Sequence, residues 1–351
     1  MKFFVEKKYP IGAAVAVVSL VLVAFLIGKK CGRADNDGRA NEDPTAATIP
    51  ADSLPVSESP LASIPVTQPV VVADYFKYMD DLVQQYDSLV PYLLSEYLIV
   101  RANPWLIDTL ENTDYYRQIE KGNFVFDQTK MTILHPGDTL YLPGEKTASV
   151  LLAKMEQTYL DINIPAFQLR IIEGDSVTHT FPVRVGKNQK KFLAMAGNVV
   201  DLRTQTGTGE IVRVNRYPVF YDPVTGDEFK LTKRDDHKTT LMPQIPWLEP
   251  NIEGRRIGQL IHPTTNPKSL GKPASNGCIG TREADAWRIY YAAPIGTKVV
   301  IRYDLEEVTA QGDTLRWNDV YQYGPRGKKR RTYASVLFPM PSSQNACWCY
   351  P

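Results

Sequence analysis

Cysteine and histidine are scarce in this chain of 351 residues, which contains four of each. The cysteines are Cys31, Cys278, Cys347 and Cys349, and this spacing does not form the regular framework of a disulfide-stapled domain. No second Cys/His pair has the spacing of zinc ligands, so we expect no metal site. Cys278 has no obvious disulfide partner, which leaves its thiol available as a nucleophile.

An excess of charge of either sign is also missing. Forty basic residues face 39 acidic ones, and the net charge is +1. This balance argues against nucleic acid as a partner. The one dense basic cluster, residues 326–331, is typical of a solvated loop or tail, with contact to an anionic polymer or a lipid surface as the alternative.

Long apolar runs are absent except for residues 11–28, which carry no charge and are flanked by lysine pairs on both sides. A run of about 18 apolar residues is long enough to span a bilayer as a helix. No small-residue cleavage site follows it, and the lysines before Cys31 argue against a lipoprotein signal. We therefore expect an uncleaved transmembrane anchor, with a signal peptide as the alternative.

Between the anchor and the first predicted helix, prolines recur at every fifth position from Pro50 to Pro65, which indicates an extended spacer or a disordered linker. Residues 74–94 are then predicted to form a helix that Pro91 ends or bends. The apolar residues with helical spacing are Tyr75, Met79, Leu82, Val83, Tyr86 and Leu89.

Residues 157–303 consist of short apolar stretches separated by Gly, Pro, Asn and Asp, a pattern that predicts a mainly β domain. One helix is predicted at residues 283–292, with Thr281 as its cap. Its N-terminal dipole would favour a thiolate at Cys278 if it points there. Further on, residues 308–313 and 314–323 are expected to add a hairpin.

The densest chemical signal is His262 followed by the turn Ser275-Asn276-Gly277-Cys278. A thiol nucleophile needs a base for its proton, so Cys278 and His262 are the candidate nucleophile and base. The backbone N–H groups of Gly277 and Cys278 are candidate oxyanion donors. Trp247 precedes the His262 strand and is expected either to wall a substrate cleft or to pack in the core.

These residues stand in a series of segments that resembles the L,D-transpeptidase (YkuD-like) catalytic domain over residues 157–304. The matching landmarks include Val185-Gly186-Lys187, Thr204 to Ile211, the His262 strand, the Cys278 turn and Gly296 to Ile301. In the family, proline is usual at the position of Gln205, histidine at that of Asn276 and arginine at that of Gly280. Arg282, two positions further on, is the substitute cation in this sequence.

The resemblance implies a β-sandwich-like fold and a transferase that acts on peptidoglycan stem peptides through a thioester on Cys278. It implies His262 as the base, no cofactor, and substrate contacts from Ser275 and Asn276. Arg282, for its charge, and Trp247, for its place before the His262 strand, are further candidate substrate contacts of this sequence. A wall enzyme places the N-terminus inside the cell, the anchor in the inner membrane as a single pass, and the catalytic domain in the periplasm or outside the cell. Two alternatives stay open: a carboxypeptidase that uses water as acceptor, and a wall-binding scaffold with a weak or silent catalytic domain.

A fainter resemblance, to the LysM wall-binding module, lies upstream and is best at residues 136–143. A structural module that docks on the catalytic domain is the other interpretation of this region. The sequence makes no prediction of the oligomeric state. The predicted organisation is an anchor at 1–30, a Pro/Ser-rich linker at 31–72, a helical and LysM-like α+β module at 73–150, the catalytic domain at 151–304 and a C-terminal extension at 305–351.

Overall fold

The computed structural model describes residues 58–309 and 311–324. The predicted membrane span, most of the linker, the basic cluster and three of the four cysteines (Cys31, Cys347 and Cys349) lie outside these residues. Within them, no helix has both the length and the apolar composition needed to cross a bilayer.

The described chain has six α-helices and 21 strands. The helices are α1 Val72–Tyr86, α2 Glu96–Ala102, α3 Trp105–Glu111, α4 Tyr115–Glu120, α5 Glu145–Glu156 and α6 Glu283–Ala292. Short 3₁₀ turns cover Asp87–Leu89, Gln128–Lys130, Ala194–Ala196 and Pro267–Ser269. The strands are β1 Ala62–Pro65, β2 Val70–Val71, β3 Thr132–Leu134, β4 Thr139–Leu142, β5 Thr158–Asn163, β6 Gln168–Glu173, β7 Ser176–Pro182, β8 Val185–Gly186, β9 Lys190–Leu193, β10 Asn198–Asp201, β11 Gly207–Asn215, β12 Leu231–Lys233, β13 Thr239–Leu241, β14 Trp247–Ile252, β15 Arg255–Arg256, β16 Ile261–Pro263, β17 Pro273–Ser275, β18 Ile279–Thr281, β19 Lys298–Arg302, β20 Glu306–Val308 and β21 Thr314–Arg316.

The catalytic region is built on a nine-stranded sheet with the order β18-β16-β14-β11-β19-β5-β6-β7, in which β15 pairs with β14. The pairs β16/β18 and β19/β5 are parallel, and the other pairs are antiparallel. Two residues after β7, an antiparallel bridge from Arg184 to Gly280 joins one edge of the sheet to the other. The mainly β prediction is confirmed. Where a sandwich-like arrangement was expected, one sheet nearly closes on itself.

The upstream segment is an α+β module, as expected, with β1 paired to β4 and β2 to β3. The stretch that resembles LysM best supplies β4. The module packs against helix α6 of the catalytic region: the Tyr75 hydroxyl accepts a hydrogen bond from the Tyr291 hydroxyl, and the Glu96 carboxylate accepts one from Tyr290. These contacts favour the docking interpretation, and glycan binding stays a prediction.

Two local predictions need correction, and two are confirmed. The predicted helix at residues 74–94 ends as an α-helix at Tyr86 and continues only as a 3₁₀ turn over Asp87–Leu89. The Leu94 amide donates to the Asp87 carboxylate and not to a helical carbonyl. Tyr75, Met79 and Leu82 are buried as expected, but Leu89 is 68% exposed.

Helix α6 has its predicted limits, yet its N-cap is Arg282 and not Thr281. The hydroxyl of Thr281 donates to the Arg282 carbonyl instead. The Asp114 carboxylate of the upstream module takes over part of the capping, because it accepts a hydrogen bond from the Ala284 amide. The predicted C-terminal hairpin is formed by β20 and β21, but its strands are Glu306–Val308 and Thr314–Arg316, where 308–313 and 314–323 were expected.

Candidate active site

Two adjacent parallel strands hold the candidate nucleophile and base. In β16 and β18, His262 lies directly beside Gly280. Cys278 precedes Gly280 by two residues, so its side chain and that of His262 emerge on the same face of the sheet. The Leu260 amide donates a hydrogen bond to the Cys278 sulfur at 3.4 Å. The structure therefore places His262 in β16 and Cys278 one residue before the neighbouring strand β18.

The hydrogen bonding of His262 fixes its tautomer. Its Nδ1 lies 2.8 Å from the Pro263 carbonyl oxygen, which can only accept, so Nδ1 carries the proton and Nε2 keeps a free lone pair. The pKa of His262 is lowered to about 4 by burial and then by the nearby Arg184 charge, against a smaller opposing effect of the Pro263 carbonyl. At neutral pH the ring is a neutral proton acceptor.

The Cys278 thiol is half-buried and free. Burial raises its pKa above the usual range, while the Leu260 hydrogen bond and the Arg184 charge act in the opposite direction. The resting pair is thus a neutral thiol beside a neutral imidazole. Helix α6 begins too far from this thiol for its dipole to act there, because three residues of extended strand, roughly 10 Å, separate its first turn from Cys278. The expected dipole effect falls off within one turn, so it does not apply here.

The turn that leads to Cys278 is stabilised by hydrogen bonds between its own residues. The Ser275 hydroxyl donates to the Cys278 carbonyl at 2.6 Å and accepts from the Gly277 amide at 3.2 Å. Ser275 therefore shapes the turn, and half-buried Asn276 lies between these groups. Gly277 has a φ of +114°, and a Cβ there would meet the Gln259 side chain at 2.8 Å, so only glycine fits.

Of the two predicted oxyanion donors, one is already engaged. The Gly277 amide is directed at Ser275, whereas the Cys278 amide has no acceptor within the part of the chain that the structure describes. The Cys278 N–H is therefore the better placed of the two to meet a developing oxyanion.

A second layer supports this turn through residues that sequence reasoning missed. The Thr204 hydroxyl donates to the Gly277 carbonyl at 2.9 Å and accepts from the Gly186 amide at 2.9 Å. Tyr321, from the C-terminal extension, accepts from the Thr204 amide and donates to the Gly186 carbonyl, each at 3.0 Å. Its side chain is only 2% exposed. The extension thus closes over the base of the site.

Trp247 does adjoin the site. Its ring centroid lies 5.3 Å from that of His262 and 5.2 Å from that of Phe220, and its buried indole N–H has no hydrogen-bond acceptor within the described residues. Phe220 also lines a cavity of about 420 Å³ together with Tyr217, Phe229 and Met242. This aromatic wall begins at His262, which is consistent with the cleft prediction.

Two arginines near the motif in sequence or in space act on different groups. Arg282 is exposed at the start of α6, and its charge acts on Asp285, whose pKa burial raises to about 6 and Arg282 lowers. Its role in substrate binding stays a prediction. Arg184, which the sequence did not single out, affects the pKa of both Cys278 and His262.

No group of three or more His, Cys, Asp or Glu side chains within residues 58–309 and 311–324 is arranged to hold a metal ion. The chemistry available at the site is that of the thiol, the imidazole and backbone N–H donors.

Comparison with known proteins gives a consistent result for this region. Residues 157–301 match the model of the L,D-transpeptidase catalytic domain, YkuD. The putative L,D-transpeptidase YkuD of Bacillus licheniformis is 27% identical over 165 residues, which cover 47% of this chain and 74% of that protein. The probable L,D-transpeptidase ErfK/SrfK of Escherichia coli is 23% identical over 231 residues, or 62% and 69% of the two chains.

Solved structures of L,D-transpeptidases are also similar. That from Xylanimonas cellulosilytica has a TM-score of 0.31 and 13% identity, and covers 69% of this chain and 100% of its own. That from Mycobacterium smegmatis has a TM-score of 0.29 and 16% identity, and covers 47% and 63%. Because these TM-scores are low, the sequence match is the basis of the assignment. The resemblance predicted from the motifs is confirmed: residues 157–301 match the L,D-transpeptidase catalytic domain family.

Proposed function

We propose that this protein is a cysteine-dependent L,D-transpeptidase that acts on peptidoglycan stem peptides in cell-wall cross-linking or remodelling. One observation carries the proposal: a half-buried thiol and a neutral imidazole lie on adjacent segments of the sheet, and the amide of Cys278 meets no acceptor among the described residues. This is the arrangement that acyl transfer through a thioester requires.

In the first half-reaction, the Cys278 sulfur attacks the carbonyl of the L-centre of a diamino acid that is joined to D-alanine. His262 Nε2 takes the thiol proton, and the Cys278 N–H stabilises the oxyanion. The C–N bond then breaks, His262 returns the proton to the departing D-alanine amine, and a thioester remains.

In the second half-reaction, an acceptor amine on another stem attacks the thioester carbonyl. His262 takes the proton of the amine, and the sulfur leaves with a proton supplied by the imidazolium. The neutral resting state suits both steps, since the ring must accept a proton each time before it donates one. No cofactor enters this scheme.

We also propose that residues 11–28 anchor the chain in the inner membrane, with the catalytic domain in the periplasm or outside the cell. The spacer that follows the anchor would let the domain reach the wall polymer. The expected fate of the chain is retention in the membrane fraction at full length, which cell fractionation with N-terminal sequencing tests.

The function is tested by incubating the full-length chain with purified tetrapeptide stems and measuring the products by mass. Cross-linked dimers support the transpeptidase, tripeptide alone supports a carboxypeptidase with water as acceptor, and unchanged substrate supports a silent domain. Cys278→Ala should abolish turnover and leave the thermal transition in place, because exchanging a thiol for hydrogen in a turn costs little stability. Continued cross-linking by Cys278→Ala would show that the nucleophile is misassigned.

A further inference from the structure

The seam where the nine-stranded sheet nearly closes passes through the active site. Gly280 lies between His262, its neighbour in β16, and Arg184, to which it is bridged by two backbone hydrogen bonds of 2.9 and 3.0 Å. Laterally paired residues project to the same face, so Arg184, Gly280 and His262 form one row across the sheet. Cys278 stands two residues before Gly280 and shares this face.

Gly280, in the middle of this row, has no side chain, and the Arg184 side chain occupies the space beside it. A Cβ at position 280 would lie 2.5 Å from Arg184 Nε and 2.7 Å from its Cγ. The guanidinium stem therefore leans across the seam over Gly280, toward the strands that hold Cys278 and His262. Any side chain at position 280 would displace it.

The Arg184 guanidinium is poorly paired. Its Nε is buried and has no hydrogen-bond acceptor among the described residues, and no carboxylate there lies within ion-pair distance of it. Its one recorded side-chain contact is a long hydrogen bond of 3.4 Å from Nη1 to the Ser269 hydroxyl. A partly buried cation without a carboxylate partner is costly, which is typical of a group retained for function.

We propose that Arg184 is the positioning cation of this site, which supplies from a neighbouring strand the positive charge that Gly280 lacks and offsets negative charge that develops at the Cys278 sulfur. The role of this charge in catalysis rests on the proposed function, but the experiment that tests for the charge does not. Burial lowers the pKa of Arg184, while the Cys278 thiol and then the Asp235 carboxylate act in the opposite direction. Arg184 in turn favours thiolate at Cys278 and keeps His262 neutral.

The test compares two alkylating reagents on the full-length chain, with Cys278 followed by peptide mass mapping. Iodoacetate is an anion and iodoacetamide is neutral, so a free cation beside the sulfur accelerates the first relative to the second. In the wild-type chain at low salt we expect the iodoacetate-to-iodoacetamide rate ratio to exceed that of N-acetylcysteine by about ten-fold, and to fall as salt is added. A ratio equal to that of N-acetylcysteine would overturn the proposal without any variant.

Substitutions at Arg184 and Arg282 identify which arginine supplies the positive charge near Cys278. Arg184→Met should bring the ratio down to that of N-acetylcysteine and move the pH midpoint of iodoacetamide alkylation upward, whereas Arg184→Lys should keep most of both. Arg282→Ala is the matched control and should change neither. A loss of ratio in Arg282→Ala, or a retained ratio in a folded Arg184→Met, would contradict the proposal. Because alkylation needs no stem peptide, these results stay distinct from failure of the proposed function.

Discussion

Two arginines of the catalytic region, one fully buried and one partly buried, are held in contrasting ways. Arg234 is fully buried, forms an ion pair with Glu283, and donates to Thr240 at 2.8 Å and to Gln128 at 3.0 Å. Its guanidinium also lies 4.4 Å from the centroid of the Tyr115 ring. Arg184 at the seam has one long hydrogen bond.

The contrast separates a charge that builds the structure from a charge that is kept for chemistry. Around Arg234, partners come from both the upstream module and the catalytic region, since Glu283 also accepts from the Tyr115 amide and from Gln128. That network fixes the start of helix α6. Near the candidate active site, by contrast, the Arg184 Nε and the Trp247 indole N–H are buried and have no hydrogen-bond partner among the described residues.

The largest expected effect comes from removing the ion-pair partner of Arg234. Glu283→Ala leaves Arg234 buried without its carboxylate, which should lower the free energy of unfolding by about 3 to 5 kcal/mol. Arg184→Met removes a charge without a partner and should cost far less. Urea unfolding of both variants decides the matter, and equal losses would show that the two arginines do not differ in role.

Removing the support under the nucleophile turn should have the next largest effect. Tyr321→Phe deletes the hydroxyl that joins Gly186 to Thr204, which leaves a buried amide and a buried carbonyl without that partner and costs about 1 to 3 kcal/mol. Turnover should fall with it, because Thr204 holds the Gly277 carbonyl.

Tyr92→Phe is the matched control, since it also removes one hydroxyl-to-carbonyl hydrogen bond, but in the upstream module. It should destabilise the fold without a specific loss of turnover. Equal turnover in the two variants, at a temperature where both are folded, would show that Tyr321 does not support the active site.

The pH dependence of kcat/KM tests the environment of His262, which Arg184 influences. His262 must be neutral to accept the thiol proton, and its lowered pKa of about 4 means that it stays neutral well below pH 6.5. We expect kcat/KM for a stem peptide to hold as the pH falls and then to drop about ten-fold per unit below pH 4. The circular dichroism spectrum reports whether the fold survives there. An acid limb near pH 6.5 would show that the ring is not shifted.

The smallest effect is expected at Arg282, the exposed counterpart of Arg184. If it binds a stem-peptide carboxylate, Arg282→Ala should raise KM about two- to three-fold with a smaller change in kcat, as an exposed ion pair contributes little. Steady-state kinetics with the tetrapeptide measure both constants. Unchanged KM would leave Arg282 as a solvated helix-start residue.

The sequence predicted what depends on neighbours in the chain. Helix α6, the β20–β21 hairpin and the His262/Cys278 pair all follow from local periodicity or from a motif. The early end of α1 was missed, because the Asp87 side chain competes with the helix for backbone hydrogen bonds.

Arg184, Thr204 and Tyr321 were also missed, because the closing of the sheet brings them to the site from distant parts of the chain. Gly280 was the one indication of this in the sequence. A glycine two residues after Cys278 leaves room for a side chain from another strand, although the sequence does not say which one.

The most direct test of the thioester on Cys278 is the intact mass of the full-length chain, quenched in acid within the first turnovers of a purified tetrapeptide stem. The account predicts a single adduct equal to the stem without its terminal D-alanine, mapped to Cys278 and missing from Cys278→Ala. An adduct on Cys347 or Cys349, or product formation by Cys278→Ala, would contradict it.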